Sequence, residues 1–106
     1  MNETIRNNLQ YLIDKHGDMY DAYTNYGKQV HTGGPLDDKT IWLIKVAISA
    51  SNKLDYALAT HIKKALDAGN TREEIEHVIL LTAPTVGFPN MMESMLVLRQ
   101  LFGETD

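Results

Sequence analysis

The sequence contains no cysteine among its 106 residues. That absence excludes disulfides, thiolate catalysis and thiolate metal ligation together. Basic runs are missing too. Asp and Glu outnumber Lys and Arg by 14 to 10, giving a net charge of −4. Neither nucleic acid nor an anionic membrane is therefore expected as the main partner. Long apolar runs are absent: the longest, Ile41 to Ala50, is interrupted by Lys45 and is too short to cross a bilayer. The opening MNETIRNNLQ has no apolar signal core, so a cytoplasmic protein is expected. No strand candidate stands out, and there is no repeat or low-complexity segment.

What is present reads as helix after helix. An apolar fraction of 43% is ordinary for a folded domain, and the length fits one domain, residues 1–106. Ile5, Leu9, Leu12 and Ile13 share one face over about residues 2–16. Gly17 suits a left-handed stop and Asp18 a cap for a second helix, about 18–32, that spaces Met19, Tyr23, Tyr26 and Val30. These two helices are expected to form an N-terminal helical hairpin, residues 1–35, closed by the break HTGGP at 31–35.

Asp37 then suits the cap of a third helix, with two carboxylates at its positive end. Residues 41–50, IWLIKVAISA, are apolar nearly all round, so this helix should be buried on more than one side, by its own domain or by a partner chain. Their β-branched content would also suit a strand, but continuity with the capped start favours helix. A fourth helix, LDYALATHIKKALDAG, runs over 54–69 and ends at Gly69. Thr71 and Glu74 form a capping-box pattern that launches a fifth, with Ile75, Val78, Ile79 and Thr82 inward until Pro84. Pro89 suits the first turn of a sixth, carrying Met91, Met92, Met95, Leu98 and Phe102. The expected fold is all-α, with five or six helices.

The candidate site residues are the exceptions to these stripes. His61 shares a face with Leu54 and Ala65. It is either a core histidine bonded to a carbonyl or neighbouring side chain, or a general acid or base in a dry pocket. Lys45 either extends to solvent along its alkyl stem or holds a carboxylate or developing enolate. Trp42, three residues earlier, is a packing anchor or a pocket wall. The methionines of the last helix suit core or subunit interface, or a flexible pocket wall. Tyr20, Tyr23 and Tyr26 are packing residues, one of whose hydroxyls could reach a site. His16, His31, His61 and His77 show no i,i+4 pairing and no H-E-x-x-H pattern, so neither a metal nor another cofactor is expected.

From about Leu36 to Phe102 the chain resembles the carboxymuconolactone decarboxylase family, which includes the alkyl hydroperoxidase D-like proteins. The resemblance lies in LDDKT and VAISAS, then in DYALATHIKKALDAGNTREEI, then in GFP opening the last helix. Its most specific part is His61 followed by Ala-Leu-x-x-Gly-x-Thr-x-x-Glu-Ile. It implies an all-α bundle for the 36–102 core, assembled as homo-trimers or homo-hexamers, which would explain the doubly apolar helix at 41–50. In the peroxidase branch a C-x-x-C pair precedes the histidine, and those positions here are Leu54 and Ala57. The branch's glutamate corresponds to Trp42. Peroxide reduction of that kind needs a thiol nucleophile, so no cysteine-based peroxidase activity is expected. The decarboxylase branch needs no thiol. It implies acid–base chemistry on a small carboxylated lactone, with His61 moving a proton, Lys45 holding the anion, and Trp42, Leu54 and Ala57 lining the substrate site. The alternative is a non-catalytic oligomeric module, binding a small molecule or purely structural, that has lost the relay.

Overall fold

The computed structural model describes residues 3–105. Six helices follow one another, and no strand occurs among the described residues: α1 Glu3–Thr32, α2 Asp38–Ser51, α3 Asp55–Asp67, α4 Arg72–Leu81, the single turn α5 Ala83–Val86, and α6 Phe88–Leu101. The chain divides into two compact units at the Leu36/Asp37 junction.

The first unit is α1. Two helices parted near Gly17 were expected there, and Glu3–Thr32 is two helical stretches meeting at a kink at His16, where φ of −136° and ψ of 43° leave the helical region. The break falls one residue before Gly17, which does not itself take a positive φ; among the described residues Lys53, Gly69, Gly87 and Gly103 do. The reason is local. Asp18, Met19 and Tyr20 resume helical spacing at once, and one glycine supplies no loop. The kink lies beside Gly17, a residue that weakens a helix interior and gives a bend an identifiable cause.

The second unit is built on α2 and α3. Asp37 caps α2 as expected, its carboxylate accepting from the Thr40 N–H at 2.8 Å. The β-branched stretch is helical throughout, and it buries Val46, Ser49 and Ala50 while Ile44 and Ile48 stay exposed. Lys53 takes φ +55° in the tight turn to α3. There the Leu54 N–H returns to the Ser49 carbonyl at 3.0 Å. α3 buries Leu58, Ile62 and Ala65. Gly69, at φ +103°, then reverses the chain, and the Asn70 amide ties the turn to the carbonyls of Ala65 and Lys39, each at 3.1 Å. The capping box forms: the Glu74 N–H donates to Thr71 Oγ1 at 3.1 Å and the Thr71 N–H to Glu74 Oε1 at 2.8 Å. Pro84 falls in the first turn of α5 and Pro89 in the first turn of α6.

Val46, Ala50, Leu58, Ile62, Ala65, Ile75, Ile79, Met91, Val97 and Leu98 form the core. α6 faces it differently from the methionine stripe read in the sequence. Met91 and Leu98 are buried, but Met92 and Phe102 are exposed, and Asn90 and Ser94 turn inward. The cause is the C-terminal end of α2, where carbonyls lack helical partners. Asn90 Nδ2 donates to the Ala50 carbonyl at 2.9 Å, and Ser94 Oγ approaches the same oxygen at 3.5 Å.

Candidate active site

Trp42, Lys45 and Ser49 recur at i, i+3 and i+7 on α2, so they share a face. His61 stands in the middle of α3, the helix packed against that face. Its Nδ1 lies 2.5 Å from Ser49 Oγ and 3.2 Å from the Lys45 carbonyl oxygen. Ser49 Oγ is itself 2.8 Å from that carbonyl. The imidazole leans on the Trp42 indole, with ring centroids 5.8 Å apart and planes tilted by 46°. Over the same indole sits the Lys45 ammonium, 4.7 Å from the ring centre, a cation–π arrangement worth about 0.5–1 kcal/mol where solvent reaches it.

The two ring nitrogens of His61 differ. Nδ1 is held, whereas Nε2 has no hydrogen-bond partner among the described residues. The fully buried, unpartnered side-chain polar atoms among those residues are Asn70 Oδ1 and Asn90 Oδ1, so Nε2 meets solvent. Burial pushes the His61 pKa below the ordinary 6.5; the contact with the Lys45 carbonyl opposes that shift and the nearby Lys45 ammonium adds to it. The ring is therefore neutral at pH 7. Lys45 makes no ion pair with the described residues, which leaves its charge available to an anion. Among the described residues no three His, Asp or Glu side chains converge as metal ligands.

Of the residues singled out in the sequence, His61, Lys45 and Trp42 come together. Leu54 and Ala57, two turns and one turn before His61 on the chain, line an open groove of about 630 Å³ with Tyr56, Val97, Gln100 and Leu101. Ser49 is the residue that sequence reading missed. Its one signal is the helical interval that puts it on the Trp42–Lys45 face, the single hydroxyl on that stripe.

The sequence profile of the carboxymuconolactone decarboxylase family matches residues 17–100. The chain belongs to the carboxymuconolactone decarboxylase family. The match begins one residue after the irregularity at His16, so the family region takes in the C-terminal part of α1 as well as α2 to α6. Two similar proteins come from Methanocaldococcus jannaschii. Uncharacterized protein MJ0742 is 35% identical over 94 residues, covering 88% of this chain and 90% of its own length. Uncharacterized protein MJ1511 is 28% identical over 87 residues, covering 82% and 81%. Within the family this chain cannot use thiol chemistry, having no cysteine. No helix of the described residues is long and apolar enough to cross a membrane.

Proposed function

We propose that this carboxymuconolactone decarboxylase-family protein is an acid–base catalyst acting on a small carboxylate-bearing metabolite, of the lactone class for which the family is named. His61 Nε2 is the proton-transferring atom, the Lys45 ammonium the anion holder, and Trp42 the wall between them. The observation that carries this reading is the asymmetry of the His61 ring: one nitrogen fixed by protein, the other unpartnered and open, beside an ammonium with no carboxylate of its own. A histidine serving only as core filler would have both nitrogens satisfied.

The chemistry follows from charge. A bound substrate carboxylate near Lys45 offsets the ammonium that disfavours imidazolium, so His61 takes a proton from solvent on Nε2. As the C–COO⁻ bond breaks, its electron pair becomes a new double bond. The electrons of the existing double bond accept the proton from Nε2. Carbon dioxide leaves, and the ring returns to neutral. The working form is a homo-oligomer, trimer or hexamer, for which the exposed apolar side chains of α2 and α4 supply the material.

The test is turnover of carboxymuconolactone by the wild-type chain and by His61→Ala and His61→Gln. Loss of a positioned proton donor should cost about 10²–10⁴-fold in kcat. Undiminished turnover in both variants would remove His61 from the mechanism. Binding of the lactone without turnover by the wild type would instead identify a non-catalytic binding module.

A further inference from the structure

We propose that Ser49 is a positioning residue that holds neutral His61 in the tautomer protonated on Nδ1, leaving the lone pair on Nε2. Its role as a positioning residue rests on the acid–base reading above; the tautomer itself does not.

The hydrogen-bond count decides between tautomers. Three polar atoms crowd together: His61 Nδ1, Ser49 Oγ and the Lys45 carbonyl oxygen, with separations of 2.5, 2.8 and 3.2 Å. Ser49 has one hydroxyl proton. If Nδ1 were unprotonated, that proton could serve either the ring or the carbonyl but not both. The Nδ1 lone pair would then face the carbonyl lone pairs at 3.2 Å with nothing between them. If Nδ1 carries the proton, the set closes. The ring donates to Ser49 Oγ and toward the carbonyl, and the Ser49 hydroxyl donates to the carbonyl four residues back, an ordinary arrangement for serine in a helix. Which nitrogen of a histidine reacts is set by the bond the other one makes.

A serine 2.5 Å from an imidazole also resembles a nucleophile–base pair. Burial rules that out. Ser49 is 1% exposed, and its oxygen is enclosed between α2 and α3 where no substrate carbon can approach. Its hydroxyl also points along its own helix. The group serves the ring and not a substrate.

The experiment is long-range ¹H–¹⁵N correlation of the histidine rings in the full-length, ¹⁵N-histidine-labelled protein. Spectra are recorded well above pH 6.5, where neutral imidazole dominates, and His61→Gln assigns the His61 signals. The wild type should give protonated Nδ1 and pyridine-type Nε2. Ser49→Ala should raise the share of the Nε2–H form roughly five- to tenfold, the equivalent of one neutral hydrogen bond. Ser49→Thr, which keeps the hydroxyl, should restore the wild-type pattern. An Nε2–H ring in the wild type would overturn the proposal, as would an unchanged pattern in Ser49→Ala. In turnover, Ser49→Ala should lower kcat while KM moves little. If the tautomer shifts as described and the wild type turns over no lactone, the lock stands and the acid–base reading is what fails.

Discussion

A half-buried imidazole beside an ammonium is costly to charge, and that cost is visible in folding as well as in chemistry. The native His61 pKa lies below 6.5, mainly through burial, while the unfolded ring has its ordinary value. Above pH 6.5 both states are neutral and the ring adds no pH dependence. As pH falls through 6.5 the unfolded chain takes up a proton that the native chain resists, so stability drops until the native ring also titrates. Urea unfolding at pH 7.5 and 5.5 should therefore show a loss for the wild type that is smaller in His61→Gln; equal losses would contradict the burial assigned to His61. The carboxylates that cap helices act in a lower window. Hydrogen bonds from Thr40 to Asp37 and from Thr71 to Glu74 lower their pKa values from 3.8 and 4.5. Their stabilisation is present above those values and is lost on further acidification. In the sequence, His61 was legible because a polar ring interrupts an apolar interval. Ser49 was not, since a serine between Ile48 and Ala50 reads as small filler until α3 places a ring nitrogen against it.

Helix ends carry the next level of stability, and here the sequence spoke most clearly. Asp37, Thr71 with Glu74, Gly69 and Pro89 each mark a boundary that the structure has at that place. Such signals are legible because capping is local: donor and acceptor lie within four residues of each other. Thr71→Ala removes one half of a reciprocal pair and should cost about 1 kcal/mol, a fall in melting temperature of roughly 4–8 °C for a domain of this size. A fall under a degree in calorimetry would mean the box contributes nothing. Asn90→Ala should cost about 0.5–1.5 kcal/mol, the worth of one hydrogen bond, because the Ala50 carbonyl keeps the Lys53 N–H at 3.3 Å. No measurable loss for Asn90→Ala would count against a contribution from that bond. The α6 register shows where local reading stops. Hydrophobicity ranks Met92 above Asn90 and Ser94, yet the two polar residues are inside because a helix forty residues earlier ends there, its Ala50 carbonyl able to accept from Asn90 as well as from the Lys53 N–H. The N-terminal break shows the converse. The stop signal at Gly17 stands one residue from the kink at His16 that parts the two helical stretches of Glu3–Thr32.

At the scale of the molecule, the second unit leaves more oil in water than a small domain needs to. Ile44, Ile48, Leu80 and Leu81 are all exposed, Ile48 and Leu81 by more than half. Ile44 and Leu81 line an apolar groove of about 410 Å³ with Leu43, Ala47, Val78 and Val86. Contiguous exposed apolar surface of this kind marks an interaction face more often than an ordinary monomer surface, and a chain of 106 residues gains in proportion from covering it. The apolar circumference of α2 was readable in the sequence, but its partner was not, because intermolecular burial leaves the same residue pattern as intramolecular burial. If the partner is a second copy of this chain, a net charge of −4 opposes association only weakly at physiological ionic strength. Sedimentation at micromolar concentration should then give a trimer or hexamer. Ile48→Glu places a carboxylate at an exposed position of α2, where it costs the folded monomer little but would be desolvated in the assembly. It should shift the distribution toward monomer without changing the helical circular dichroism signal. A wild-type chain that sediments as a monomer, with Ile48→Glu indistinguishable from it, would show that this face is not closed by self-association.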